Sequence, residues 1–206
     1  MGYCYTISTC GPSVMALPEK TLAPAVIGRE AVGPGYEILT DGNQGFTLSE
    51  AIRRAQVLED YDIGWFEEPL PADDVAGHAE LSRRSSVPIT VGESMYSLSQ
   101  FKDFLQAGAA SIVQVDAARV GGITLWLKVA HLAEAYNMMV CSHFLMEQHL
   151  PLVCAVPNAK WLEYIPQLDN VTTHTMQIED GCHSIRYAGS GRRVGLAGYR
   201  CPAPTD

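Results

Sequence analysis

Three acidic residues recur at one interval in this chain, and each closes a short apolar run. Asp41 ends the run from Tyr36, Glu67 ends the run from Ile63, and Glu93 ends the run from Pro88. The steps from 41 to 67 and from 67 to 93 are both 26 residues. That interval holds one strand, one helix and two loops, which is the repeat of a parallel α/β barrel. In such barrels the catalytic groups stand at the C-terminal ends of the strands. Three carboxylates on neighbouring strand ends repel one another unless a hard cation lies between them. Mg²⁺, which takes oxygen ligands, is the expected ion.

Strand-like and helix-like segments alternate through the middle of the chain. The expected strands are 36–40, 63–67, 88–92, 111–115, 138–142 and 160–164, each short, apolar and rich in β-branched or aromatic residues. Capping boxes at Thr47–Glu50 and Ser97–Gln100 open two of the helices between them. From Thr124 to Tyr136, Leu125, Val129 and Leu132 mark an apolar face that Leu127 and Ala130 widen. Six β/α units are counted, against the eight of a closed barrel. The expected fold is therefore α/β: an incomplete TIM-type (β/α) barrel over 36–180. A partial or irregular segment precedes it over 1–35, with one helix at Ala23–Val32, and a mostly irregular tail follows over 181–206.

The pattern of strand-end acids continues past Glu93. Asp116 ends the fourth strand, His143 ends the fifth, and Glu163 lies in the sixth. All six strands thus carry an ionisable residue at or near the same end. Asn43 follows Asp41 by two residues and shares its face if the strand continues, where it can bond a ligand or a metal carboxylate. Glu68 points to the other side of its strand and reads as a helix-facing or supporting acid. Arg119 is placed equally well for an anionic substrate or for a salt bridge. His78 and His131 read as solvated helix residues, and His149 as part of a loop that either touches substrate or simply packs.

Composition narrows the function classes. The chain has 206 residues, is 47% hydrophobic and carries a formal charge of −9. It can bury a real core, and it lacks the basic face that nucleic acids require. No apolar stretch reaches ~18 residues, so no membrane span is expected. The N-terminus has no basic start followed by a long apolar run. The six cysteines show no Cys-x-x-Cys spacing, and a reducing cytoplasm with free thiols is expected.

Asp41-Gly-Asn43, Trp65-Phe-Glu67-Glu68-Pro69, Val91-Gly-Glu93, Asp116 with Gly121-Gly-Ile-Thr124, Ser142-His-Phe144 and Trp161-Leu-Glu163 together resemble the catalytic barrel of the enolase superfamily. The resemblance covers roughly residues 23–180. It is nearest to the mandelate racemase group, and there to acid-sugar dehydratases of the galactarate/talarate kind. It implies Asp41, Glu67 and Glu93 as Mg²⁺ ligands, His143 as base, Asp116 as its partner, and Glu163 as an acid that bonds the substrate carboxylate. The implied reaction removes a proton α to a carboxylate, gives an enediolate and expels the β-hydroxyl, with an acid sugar as substrate. Sites of this superfamily with a Lys or His base and Mg²⁺ are among the standard examples of pKa tuning.

Two features depart from that family. Its second strand normally ends in Lys-x-Lys, whereas the single lysine before Asp41 here is Lys20. Its N-terminal lid domain has no counterpart in this sequence. Two-base racemisation or epimerisation is accordingly a weaker alternative, and a truncated fragment or pseudoenzyme that keeps the metal site is another. Missing strands would leave open sheet edges, so association into oligomers is expected.

Overall fold

A computed structural model describes residues 37–165, together with the backbone of three short segments at 177–179, 182–186 and 193–195. The helix expected at Ala23–Val32, and the rest of the first 35 residues, lie outside the described part.

Five strands form one parallel sheet in chain order: β1 (Ile38–Asp41), β2 (Ile63–Glu67), β3 (Ile89–Val91), β4 (Ile112–Val115) and β5 (Met139–Ser142). Helices α1 (Leu48–Glu59), α2 (Val75–Arg84) and α3 (Leu98–Ala107) separate the first four strands. A single-turn α4 (Ala117–Val120) and α5 (Ile123–Ala135) connect β4 to β5, and α6 (Met146–Ala155) follows β5. Consecutive parallel strands joined by helices are successive units of an incomplete TIM-type barrel, as the repeat interval predicts.

The main core joins strands to helices. It includes Phe66, Ile89, Val113 and Val140 from the sheet, and Ala51, Leu81, Phe101, Phe104 and Trp126 from the helices. A smaller cluster of Leu39, Trp65, Ile112 and Cys141 is drawn from strands alone, and Trp161 packs against it. Trp65 and Trp161 meet edge to face with ring centroids 5.1 Å apart. Side chains alternate between the faces of a strand. The face carrying Leu39 therefore also carries Asp41, and the face carrying Trp65 also carries Glu67. Ile112 shares its side with Gln114 and, one step beyond the strand, Asp116; Cys141 likewise shares its side with His143. The strand-end groups stand above the small cluster because parity puts them there.

Several local expectations change. Residues 160–164 do not form a strand among the described residues. Ala159 makes one isolated bridge to Val140, and Lys160 N–H donates to Val140 O at 3.3 Å. Beyond that point Glu163 N–H turns to the Ser142 hydroxyl, so no main-chain ladder continues. The buried face of α5 is centred on Trp126, Val129, Ala130 and Ala133, with Leu125, Leu127 and Leu132 at its margins. Ser97 caps α3 as expected, accepting from Gln100 N–H, while Gln100 Oε1 accepts from Tyr96 N–H. Thr47 does not cap α1 with its side chain; its hydroxyl lies 3.4 Å from the Ser49 hydroxyl. His78 is buried rather than solvated. Its ring packs 5.2 Å from Phe104 on the neighbouring helix, and Nδ1 lies 2.8 Å from Asp74 O. A helix that touches both a sheet and the next helix buries a wider face than a one-sided pattern suggests. Three short antiparallel strands follow, β6 (Gln177–Glu179) at the end of the range read as barrel, and β7 (Cys182–Arg186) and β8 (Arg193–Gly195) in the tail read as mostly irregular. Their shortness and glycine-rich links hide them from pattern reading. No helix among the described residues is long and apolar enough to cross a membrane.

Candidate active site

Register sets the site. Asp41 pairs with Glu67, and Glu67 with Thr90 on the next strand. Val115 pairs with Ser142, so Asp116 and His143 leave adjacent strands at one level. The main chain continues that pairing, since His143 N–H donates to Val115 O at 3.2 Å. Gly92 delivers Glu93 past the end of β3. Its φ of +145° favours glycine, and a Cβ there would lie 2.4 Å from Gln114 O on the adjacent strand. Any side chain at 92 would push the two strand ends apart and carry Glu93 with them.

His143 sits at the centre of the polar groups. Its Nδ1 lies 2.9 Å from Asp116 Oδ2, and its Nε2 lies 3.1 Å from Glu93 Oε2. Burial opposes a charge on the ring. The bonds to Asp116 and Glu93 outweigh it and hold the pKa up at about 10. The same contacts overcome the opposite effect of burial on the two acids, and both fall below their ordinary range. Arg119 resolves into a salt bridge. Its Nη1 donates to Glu93 O at 2.9 Å and meets Glu93 Oε1 at 3.3 Å, while Nε stands 3.8 Å from Asp116 Oδ2.

The other acids are in the reverse condition. Burial raises Asp41 to about 6, with Glu93 adding repulsion against the pull of Asn43. Glu67 is nearly inaccessible at 2% exposure. Burial raises it well above the normal range, and Asp41, Glu163, Glu93 and Glu68 all push the same way. Glu163 is buried and raised by desolvation, although Phe144 N–H donates to its Oε2 at 2.6 Å. Repulsion among Asp41, Glu67, Glu93 and Glu163 adds to burial in raising Asp41, Glu67 and Glu163.

Among the described residues, no three His, Cys, Asp or Glu side chains stand close enough together to grip an ion as they lie. Both carboxylate oxygens of Glu93 are engaged, one by His143 and one by Arg119. The donor set nevertheless fits Mg²⁺. It consists of carboxylate oxygens at three successive strand ends, with Glu67 buried and Asp41 and Glu93 partly so, and repulsion between such acids is what a hard dication relieves. A cation there would compete with His143 and Arg119 for Glu93.

Asn43 is exposed at the rim, with φ +42°. Its backbone N–H donates to Asp41 Oδ1 at 2.7 Å, so in this structure it orients an acid.

Three supporting groups escape a reading of strand ends alone. Trp65 Nε1 donates to Glu67 Oε2 at 3.2 Å, a contact that the two-residue spacing along β2 could have suggested. Glu68 is 2% exposed and ties three loops together. Gln44 Nε2 and the Ser94 hydroxyl both donate to its Oε2, and Ser94 N–H to its Oε1. Burial raises Glu68 to about 7 against those bonds. His149, expected in a loop, is fully buried on α6.

Comparison with known proteins accords with this geometry. The chain is similar to the L-talarate/galactarate dehydratase of Salmonella typhimurium, at 37% identity over 153 residues, covering 74% of this chain and 38% of that protein. It is also similar to the 3,6-anhydro-alpha-L-galactonate cycloisomerase of Streptomyces coelicolor, at 34% identity over 157 residues, covering 76% of this chain and 44% of that one. Among solved structures, the L-talarate dehydratase of Polaromonas sp. JS666 complexed with Mg and L-glucarate superposes with a TM-score of 0.74 at 35% identity. That match covers 81% of this chain and 47% of the other. The chain thus spans less than half the length of each of these relatives. The family described as Enolase C-terminal domain-like matches residues 13–193, and with barrel units, strand-end acids and relatives in agreement, the chain belongs to that family.

Proposed function

We propose that this chain carries the catalytic barrel of a Mg²⁺-dependent acid-sugar dehydratase, a hydro-lyase. The observation that carries the reading is the His143–Asp116 pair, set at one level beside a group of mutually repelling carboxylates. Support comes from similarity to dehydratases at about this level of identity and from relatives with bound magnesium.

Asp41, Glu67 and Glu93 would hold the ion. When bound, Mg²⁺ supplies Lewis acidity toward a substrate carboxylate, which acidifies the adjacent C–H. Asp116 holds the imidazole of His143 by Nδ1 and leaves Nε2 to exchange a proton with substrate. With Glu93 neutralised, His143 loses part of the pull that keeps it protonated and falls toward the range of a general base. Nε2 then takes the α-proton, and the electron pair left on carbon forms the C=C bond as the β-hydroxyl departs. The proton on Nε2 goes to that hydroxyl, so water leaves and His143 returns to its starting state. The enol product tautomerises to a 2-keto-3-deoxy acid. Burial raises the pKa of Glu163, which favours the protonated form that can donate to a substrate carboxylate oxygen.

The test incubates the chain with Mg²⁺ and a panel of aldarates and aldonates, followed for 2-keto-3-deoxy products and for deuterium uptake at the α-carbon. Product from at least one acid sugar is expected. Neither product nor α-exchange from any of them would overturn the reading.

A further inference from the structure

The reaction above leaves two buried imidazoles without a task, His78 and His149, and only the second bonds to the backbone beside the reacting pair. His149 lies on α6, far in sequence from Asp116, and is 0% exposed. Its Nε2 accepts from Ala117 N–H at 2.9 Å. Its Nδ1 lies 2.8 Å from Phe144 O and 3.0 Å from Leu145 O. Carbonyls only accept, so Nδ1 carries the proton, and an N–H donor opposite Nε2 requires that nitrogen to be bare. Both ring nitrogens are used, in one tautomer only. Burial lowers the pKa of the ring against the pull of those carbonyls, which keeps it neutral.

The partners give the arrangement its meaning. Ala117 directly follows Asp116, and Phe144 directly follows His143. One neutral ring thus joins the backbone just past the acid to the backbone just past the imidazole that the acid holds. The second attachment falls on a strained turn, since Phe144 and Leu145 both have left-handed backbone, φ +51° and +39°. Two successive non-glycine residues in that region persist only where surrounding contacts hold them. On the near side of Asp116, Val115 O accepts from both His143 N–H and Trp126 Nε1, at 3.2 and 3.1 Å. Trp126 in turn packs 6.2 Å from the His149 ring. Asp116 is therefore pinned on both sides, by Val115 O to His143 N–H before it and by His149 to the Phe144–Leu145 turn after it.

We infer that His149 is a positioning residue for the His143–Asp116 pair, holding the two strand ends in the register at which Nδ1 and the carboxylate meet. The role rests on reading that pair as the proton-transfer group.

The test is nuclear magnetic resonance on the full chain. In the unaltered protein, His149 is expected as the Nδ1–H tautomer and the Ala117 amide as slow to exchange. An Nε2–H tautomer, or an Ala117 amide that exchanges freely, would overturn the inference with no substitution needed. The diagnostic signal is the downfield Nδ1 proton of His143, bonded to Asp116. His149→Phe keeps a buried aromatic ring and removes both bonds, and it should abolish or shift that signal. Ala117→Pro removes only the donor to His149. The first helical position tolerates proline, and the extended Asp116 before it suits one (φ −94°, ψ 118°). It should act on the signal in the same direction. Val153→Ala, a cavity in the same helix, should leave the signal in place. A His143 proton unmoved by either of the first two changes, or lost equally in Val153→Ala, would show a merely structural histidine. Where turnover is measured, kcat should fall about tenfold to a hundredfold, the range for groups that orient a reactive residue from behind, with KM unchanged. A chain that passes the resonance tests but binds neither Mg²⁺ nor an acid sugar refutes the proposed function and leaves this role intact.

Discussion

His143→Asn is expected to cut α-proton exchange and turnover by about 10³-fold while tightening Mg²⁺ binding. The first effect follows from losing the one imidazole that Asp116 orients; a positioned acid–base group contributes roughly 10²–10⁴-fold. The second is less obvious and more informative. Glu93 now spends Oε2 on His143 Nε2 at 3.1 Å and Oε1 on Arg119 Nη1 at 3.3 Å. Removing the imidazole frees one oxygen and one competing positive charge. A metal titration beside the exchange assay checks both halves. Exchange at the unaltered rate would remove His143 from the mechanism. Weaker Mg²⁺ binding in the variant would show that His143 and the ion do not compete for Glu93.

The second large effect concerns pH. His143 has its folded pKa raised from the ordinary 6.5 to about 10. The folded state then holds a proton that the unfolded state has lost, and stability falls as pH rises between those values. Asp41 and Glu68 act in the same sense at lower pH, with folded values of about 6 and 7. Buried His78 and His149 act oppositely, since their lowered values cost stability once the unfolded histidines take up protons below about 6.5. Glu93 and Asp116 lose their contribution only in acid. Glu67 and Glu163, raised by burial, act in the same sense as His143, and between pH 7 and 9 His143 keeps its proton in the folded state while the unfolded imidazole has lost it. One proton is worth at most about 1.4 kcal/mol per pH unit, so the metal-free chain should melt several degrees lower at pH 9 than at pH 7. Added Mg²⁺ should flatten the decline, because it binds ionised carboxylates and takes Glu93 away from His143. Calorimetric melts at both pH values, with and without Mg²⁺, test this. A metal-free midpoint that rises from pH 7 to 9 would contradict the placement of His143 between two carboxylates.

The strand ends were legible in the sequence because two simple regularities coincide there. Period-two alternation puts Asp41 and Glu67 on the face of Leu39 and Trp65, and the 26-residue repeat puts them on adjacent strands. Glu163 illustrates the limit of that reading. Its residue type and level were readable, but the strand expected around it is absent, because the Ser142 hydroxyl and Phe144 N–H engage it in place of a ladder. His78 and His149 were misplaced for a related reason. The chain around each gives no sign of its burial, which comes from Phe104 of α3 beside His78 and from Trp126 of α5 beside His149. The bonds of His149 to Ala117 and Phe144 join segments with no local signature. The competition of His143 and Arg119 for Glu93 was likewise invisible, since it depends on which of several neighbouring charges a flexible carboxylate meets.

The account depends on Asp41, Glu67 and Glu93 serving one divalent ion, and isothermal calorimetry of Mg²⁺ binding tests this most directly. One ion per chain is predicted, released by protonation below pH 6, with affinity lost by at least about a hundredfold in Glu67→Gln, more than a supporting residue would cost. Heat of binding that is absent in the unaltered chain, or unchanged in Glu67→Gln, would contradict it.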